Sequence, residues 1–175
     1  MNINNSIWMW LKSIIFMQCI RFFKLHTFQY RHLTANEIQL AQRVFADQLD
    51  YTQVLIFNTP YLPWQPVGLF MAPTGALFVH PKNYKTDYSL ESRAYQSIFI
   101  HELAHIYQHQ HHINVLLHGA VLQIGYYLSF KHYNPYHYQF KHKRPFHHYN
   151  IEQQAEIAKD IFLGKIPNII VSISK

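Results

Sequence analysis

Cysteine is almost absent: Cys19 is the single one in 175 residues. That excludes an intramolecular disulfide framework and a cysteine-based zinc knuckle, so any metal must be held by histidine and carboxylate. Acids are scarce too, with nine Asp and Glu against fifteen Lys and Arg, a formal charge of +6. The surface is therefore basic before any histidine takes a proton, which suits anionic partners. No apolar run reaches 18 clean residues, so no conventional spanning helix is expected. No internal repeat or second domain is visible. What remains is a chain 49% hydrophobic, enough for one real core, in which histidine is the outlier at 14 residues.

The most apolar stretch, Ile7 to Phe23 (IWMWLKSIIFMQCIRFF), is interrupted by Lys12, Gln18 and Arg21. MNINNS before it and RFFKLH after it lack the basic start and small-residue cleavage site of a secretory signal. No cleavable signal peptide is expected. Residues 1–30 are read as a docked helix or loosely attached leader, in preference to a peripheral membrane contact through residues 7–23 anchored by Trp8, Trp10, Phe16 and Phe23. Residues 31–175 are read as one domain.

Within it, Thr34 and Glu37 form a capping-box pattern that predicts a helix to about Gln48. Gln53–Asn58 predicts a short strand. Leu69–Met71 and Ala76–His80 predict a hairpin around Ala72-Pro73-Thr74-Gly75, while Pro60, Pro63 and Pro66 forbid regular structure between strand and hairpin. A long helix is expected over Ser92–His112. A second, Val115–Phe130, is too short and too interrupted to span a bilayer and is expected to lie buried under the first. Lys131–Tyr149 reads as an aromatic, basic loop without a single acid, and Asn150 with Gln153 caps a last helix ended by Gly164 and Pro167.

The chemistry lies in His101-Glu102-Leu103-Ala104-His105. Residues i and i+4 share a helix face, so His101 and His105 can converge on one ion. Glu102 flanks that face, placed to take a proton from an activated water without binding the metal itself. For this composition the pattern arises by chance in roughly 0.03 chains. A catalytic zinc site needs a third protein ligand. Glu152 is the best candidate, because Glu152, Glu156 and Asp160 are the only acids after residue 102. Glu156, one turn on, can accept a ligand imidazole's N–H; the alternative is that both glutamates merely complement the helix N-terminus. An oxyanion donor is sought among Tyr133, Tyr136, Tyr138, His147, His148 and Tyr149, with Tyr149 preferred because it enters the ligand helix. His109, His111 and His112 could form a second metal site but read better as a hydrogen-bonding helix end, and His118, His137 and His142 as structural or surface residues.

HELAH followed downstream by Glu-x-x-Ala-acid resembles the gluzincin zinc metallopeptidases, in which the first acid is the third ligand and the residue four later buttresses a ligand histidine. Here that later position is Glu156 where Asp is commoner, which lengthens the arm. A narrower resemblance runs from about Arg31 to Phe162 through Leu33-Thr34, Leu69-Phe70-Met71-Ala72-Pro73, His80-Pro81, Phe99-Ile100-His101-Glu102, His105-x-x-Gln108-His109-Gln110 and Tyr149-Asn150-Ile151-Glu152-Gln153-Gln154-Ala155. These segments are similar to bacterial Vgr-related peptidases associated with type VI secretion. The resemblance implies Zn2+ as cofactor, a bacterial cytoplasmic origin before passage through that apparatus, and a Vgr-like partner.

The expected fold is α+β, a minimal zincin with a small antiparallel sheet, a zinc helix and packed helices. The expected function is hydrolysis of peptide or amide bonds in a peptide or protein substrate. Its rival is a non-catalytic accessory or adaptor protein of a secretion system, its domain held by zinc or by simple packing. The 131–149 loop reads as substrate groove or partner surface in preference to a nucleic-acid site, since no RNA-binding motif accompanies it.

Overall fold

The computed structural model describes Gln18 and residues 28–171. The rest of the apolar leader, with Cys19, lies outside the described residues. Four short strands form one sheet in the order β1-β2-β4-β3: β1 (Tyr30–His32), β2 (Leu55–Phe57), β3 (Phe70–Met71) and β4 (Ala76–Val79). The sheet is mixed rather than antiparallel. β1 runs antiparallel to β2 and β3 to β4, but β2 and β4 are parallel in the register Ile56↔Leu77. The reason is the proline-broken passage after β2, which crosses over and re-enters at the far edge as β3, so β4 returns beside β2 in the same direction. β1 escaped the pattern reading because Tyr-Arg-His is too short and polar to announce a strand. Ile56, Leu77, Val79 and Phe70 are buried on the inner face, whereas Phe57 and Phe78 stack on the outer one at 5.1 Å.

Helix α1 (Ala35–Phe45) carries the expected box: Thr34 Oγ1 accepts from the Glu37 amide, and Glu37 Oε2 accepts from the Thr34 amide. It stops before Gln48 because Ala46 turns to φ 47°, its carbonyl taking the Tyr51 hydroxyl. Helix α2 (Arg93–Gln110), capped by Ser92, buries Phe99, Ile100, Leu103 and Ile106 and packs chiefly on α4 (Ile151–Phe162) through Ala155, Ile157 and Ala158. In the β3–β4 turn Gly75 sits at φ 83°, and a Cβ there would lie 2.5 Å from the His109 ring, so only glycine lets the hairpin rest on α2. His109 is thereby a packing surface for the hairpin.

Helix α3 (Val115–Leu128) corrects an expectation. It is not a buried core helix: of its fourteen residues only Val115 is buried. Val115, Gly119, Leu122 and Tyr126 face inward at helical spacing, but Leu117, Val121, Ile124 and Leu128 form an equally apolar stripe on the opposite side and are more than half exposed. Apolar content on both faces led the sequence reading to full burial; the tertiary structure covers only one.

Candidate metal centre

Helices α2 and α4 cross so that His101, His105 and Glu152 meet. One ligand atom from each lies within 4.8 Å of the others. Glu152 Oε2 is 3.4 Å from His105 Nε2 and 3.7 Å from His101 Nε2. Ligand atoms bound tetrahedrally at about 2.0–2.1 Å lie about 3.4 Å apart, so these separations suit a zinc-sized ion. The imidazole rings stand nearly perpendicular, 5.1 Å between centres.

The outer nitrogens are engaged, which decides the tautomers. His101 Nδ1 lies 3.1 Å from Glu156 Oε1, and Lys159 holds the other Glu156 oxygen at 2.6 Å. His105 Nδ1 faces Gln108 Oε1 at 2.9 Å. Gln108 cannot be turned the other way, because its amide nitrogen donates to the Ile151 carbonyl and to Gln154 Oε1. In their neutral form both imidazoles therefore keep their proton on Nδ1 and offer Nε2 to an ion. Gln108 and Gln154 are buried, and their amide ladder links His105 to the carbonyl just before Glu152, fixing the register of α2 on α4. The sequence reading missed this role, although Gln108 stands three residues after His105, one helical turn along the same face. Replacing Gln108 by Leu is expected to weaken zinc binding by about 10–100-fold, measured by competition with a chelating dye; an unchanged affinity would refute the positioning role.

In the metal-free site, burial disfavours an imidazolium at His101, but Glu152 and Glu156 outweigh it and lift the group to about 9. Burial opposes ionisation of the two glutamates as well, yet His101 and His105 hold Glu152, and His101 and Lys159 hold Glu156, well below the ordinary range. Glu102 lies beside the ligands, buried, and its carboxyl is pushed up by that burial, with His101 and His105 pulling against the rise.

These groups line a cleft of about 890 Å³ between the 62–73 segment and α3. Tyr136 lines it too; Tyr149 does not. The preference for Tyr149 is corrected: its ring is buried, and its hydroxyl donates to the Gln139 carbonyl and accepts from the Lys141 amide. Tyr136 has its ring centre 6.4 Å from that of His101. Burial and the three neighbouring glutamates push its phenol to about 12, so it stays a donor. The capping residues of α4 also hold the Tyr136 loop. Asn150 accepts from the Gln153 amide and donates to the Pro135 carbonyl, while Gln153 accepts from the Asn150 amide and donates to the His137 carbonyl. A capping motif read only as a helix start therefore places the residue between its two loop anchors. Of the remaining candidates, Tyr138 donates to Asp160, and His111 Nδ1 lies 2.8 Å from the Tyr107 carbonyl. Among the described residues no other group of three metal-binding side chains converges.

The fold is shared with a solved structure, the effector domain of Pseudomonas aeruginosa VgrG2b, at a TM-score of 0.70 and 41% identity, covering 77% of this chain and 74% of that one. The chain belongs to the VgrG2b effector-domain family. The type VI secretion system spike protein VgrG2b of the same organism matches over 136 residues at 41% identity; the match takes in 77% of this chain but spans only 13% of the spike protein. No family model matches.

Proposed function

We propose that residues 31–175 form a zinc metallopeptidase domain that acts as a type VI secretion effector or processing enzyme. The observation that carries this reading is the convergence of His101, His105 and Glu152 in a cleft that Glu102 and Tyr136 also line. The donor set is one that zinc favours, with both Nε2 atoms turned toward the Glu152 carboxylate. When bound there, zinc supplies Lewis-acid polarisation of a carbonyl and acidifies a water molecule.

The chain's own groups do the rest. Glu102 takes the proton of the attacking water and delivers it to the departing amine, a task suited to a carboxyl raised by burial. Tyr136, protonated at all working pH values, donates to the oxygen that gains negative charge. Glu156 and Gln108 hold the two imidazoles in the metal-binding tautomer. Kinship with the VgrG2b effector domain supports passage through a type VI apparatus and association with a Vgr-like spike.

Metal content tests the centre. The wild type is expected to hold one zinc per chain, and His105→Ala and Glu152→Ala none, by elemental analysis of reconstituted protein. Because metal-free His101 is protonated up to about pH 9, the incoming ion displaces a proton, so zinc affinity falls as pH is lowered below that value. Calorimetry in buffers of different ionisation enthalpy reads this proton release. A wild type that takes up no zinc would favour the adaptor reading.

A further inference from the structure

Two lips border the cleft. One is α3, whose Leu116 and Tyr127 line the cleft while staying about half exposed or more. The other is the loop before β3, where Trp64 is 75% exposed and Leu69 49%. Beyond the α3 lip lies the outward stripe Leu117, Val121, Ile124 and Leu128, and at its end Phe130, 87% exposed. A helix apolar on both faces ordinarily has both covered, and a contiguous exposed patch of this kind marks a binding surface.

Charge says what covers it. The lips belong to segments 51–86 and 103–151, and neither contains one Asp or Glu; all nine acids lie elsewhere. Lys131 lies three residues past the end of α3, and the acid-free loop that follows carries Lys141, Lys143 and Arg144, all exposed. Two copies apposed through this face would bring these basic segments together without free counter-charge, because the cleft's own acids are engaged: Glu152 and Glu156 face His101, His105 and Lys159, and Glu102 is buried. Anionic headgroups supply that counter-charge, and the apolar stripe suits the acyl boundary beneath them. Aromatic side chains at the rim, Trp64, Tyr127 and Tyr133, have the amphipathic character of interfacial anchors. At fourteen residues α3 is about 21 Å long, and no described helix is long and apolar enough to cross a membrane. It can lie in the interface but not span it.

We propose that the α3 stripe and the Trp64 lip seat the domain on an anionic lipid bilayer, with the cleft mouth facing the membrane surface. This stands independently of the hydrolytic reading, since it rests on exposure and charge outside the metal centre.

The test uses the full chain. Trp8 and Trp10 are replaced by Phe, leaving Trp64 as the one tryptophan, and emission is followed with vesicles of brominated phosphatidylglycerol and phosphatidylethanolamine. Quenching of Trp64 is expected, with partitioning at least tenfold weaker into phosphatidylcholine vesicles. The pair Val121→Asp/Ile124→Asp, which alters only outward positions, is expected to lower partitioning into anionic vesicles at least tenfold while far-ultraviolet circular dichroism is unchanged. Three results would each overturn the proposal. Vesicles that sediment the chain without quenching Trp64 would assign binding to another surface, and unaltered partitioning of the Asp pair would assign it to residues 1–27. A concentration-dependent dimer that the Asp pair abolishes, with no vesicle binding, would make the occupant a second copy.

Discussion

Glu102→Gln is expected to lower hydrolysis by about 10²–10⁴-fold while one zinc per chain stays bound. The side chain lies one position past His101, so it turns away from the ligand face yet lines the same cleft. Its burial, at 7% exposure, keeps bulk water from replacing it as a base. Glutamine preserves the shape and removes the proton acceptor. Metal retention should follow because the converging group consists of His101, His105 and Glu152 without it. Release of new α-amino groups from a denatured protein substrate, with zinc assayed in the same preparation, checks both halves. Hydrolysis retained in a clean Glu102→Gln preparation would refute its role as general base. Zinc lost along with activity would instead make Glu102 part of the metal's support.

The largest stability effect is expected far from the centre, at Glu37. This carboxylate is fully buried and accepts four hydrogen bonds: two from the Arg31 guanidinium at 2.7 Å, one from the Thr34 amide at 2.8 Å and one from the Tyr88 amide at 2.7 Å. It joins β1, the start of α1 and the turn after residue 87. Glu37→Ala strands Arg31 and both amides, so a loss of about 3–5 kcal/mol is expected. The comparison is Glu91→Ala, which removes a pair with Lys85 at 3.3 Å whose side chains are about one-third exposed. Exposed pairs contribute about 0–1 kcal/mol. Urea unfolding of both variants separates the cases, and a loss below about 1 kcal/mol at Glu37 would show that the buried pair merely offsets its own desolvation.

Glu37 also shows how far local pattern reached. Thr34 and Glu37 were legible as a helix start because a capping box is completed within four residues. The same glutamate's bonds to Arg31 and Tyr88 were not, since they depend on β1 and on a turn some fifty residues away. Asn150 and Gln153 repeat the lesson: their mutual caps are local, but their grip on Pro135 and His137 is tertiary, and through it Tyr136 rather than Tyr149 lines the cleft.

Sequence alone determined the pieces whose interactions are short-range. The i, i+4 spacing put His101 and His105 on one face of α2. The caps placed the starts of α1 and α4, and the shortage of acids left Glu152 as the leading candidate for a third ligand. Only the tertiary structure decided which way each piece faces. The parallel pairing of β2 with β4 depends on the crossover between them. The Gln108–Gln154 ladder depends on the register of α2 against α4. The exposure of α3 depends on how much of its surface the rest of the chain can cover. A helix apolar on both faces has no periodic signal that distinguishes a face packed on protein from one left open, because hydrophobicity records what a residue avoids and not which neighbour arrives to shield it.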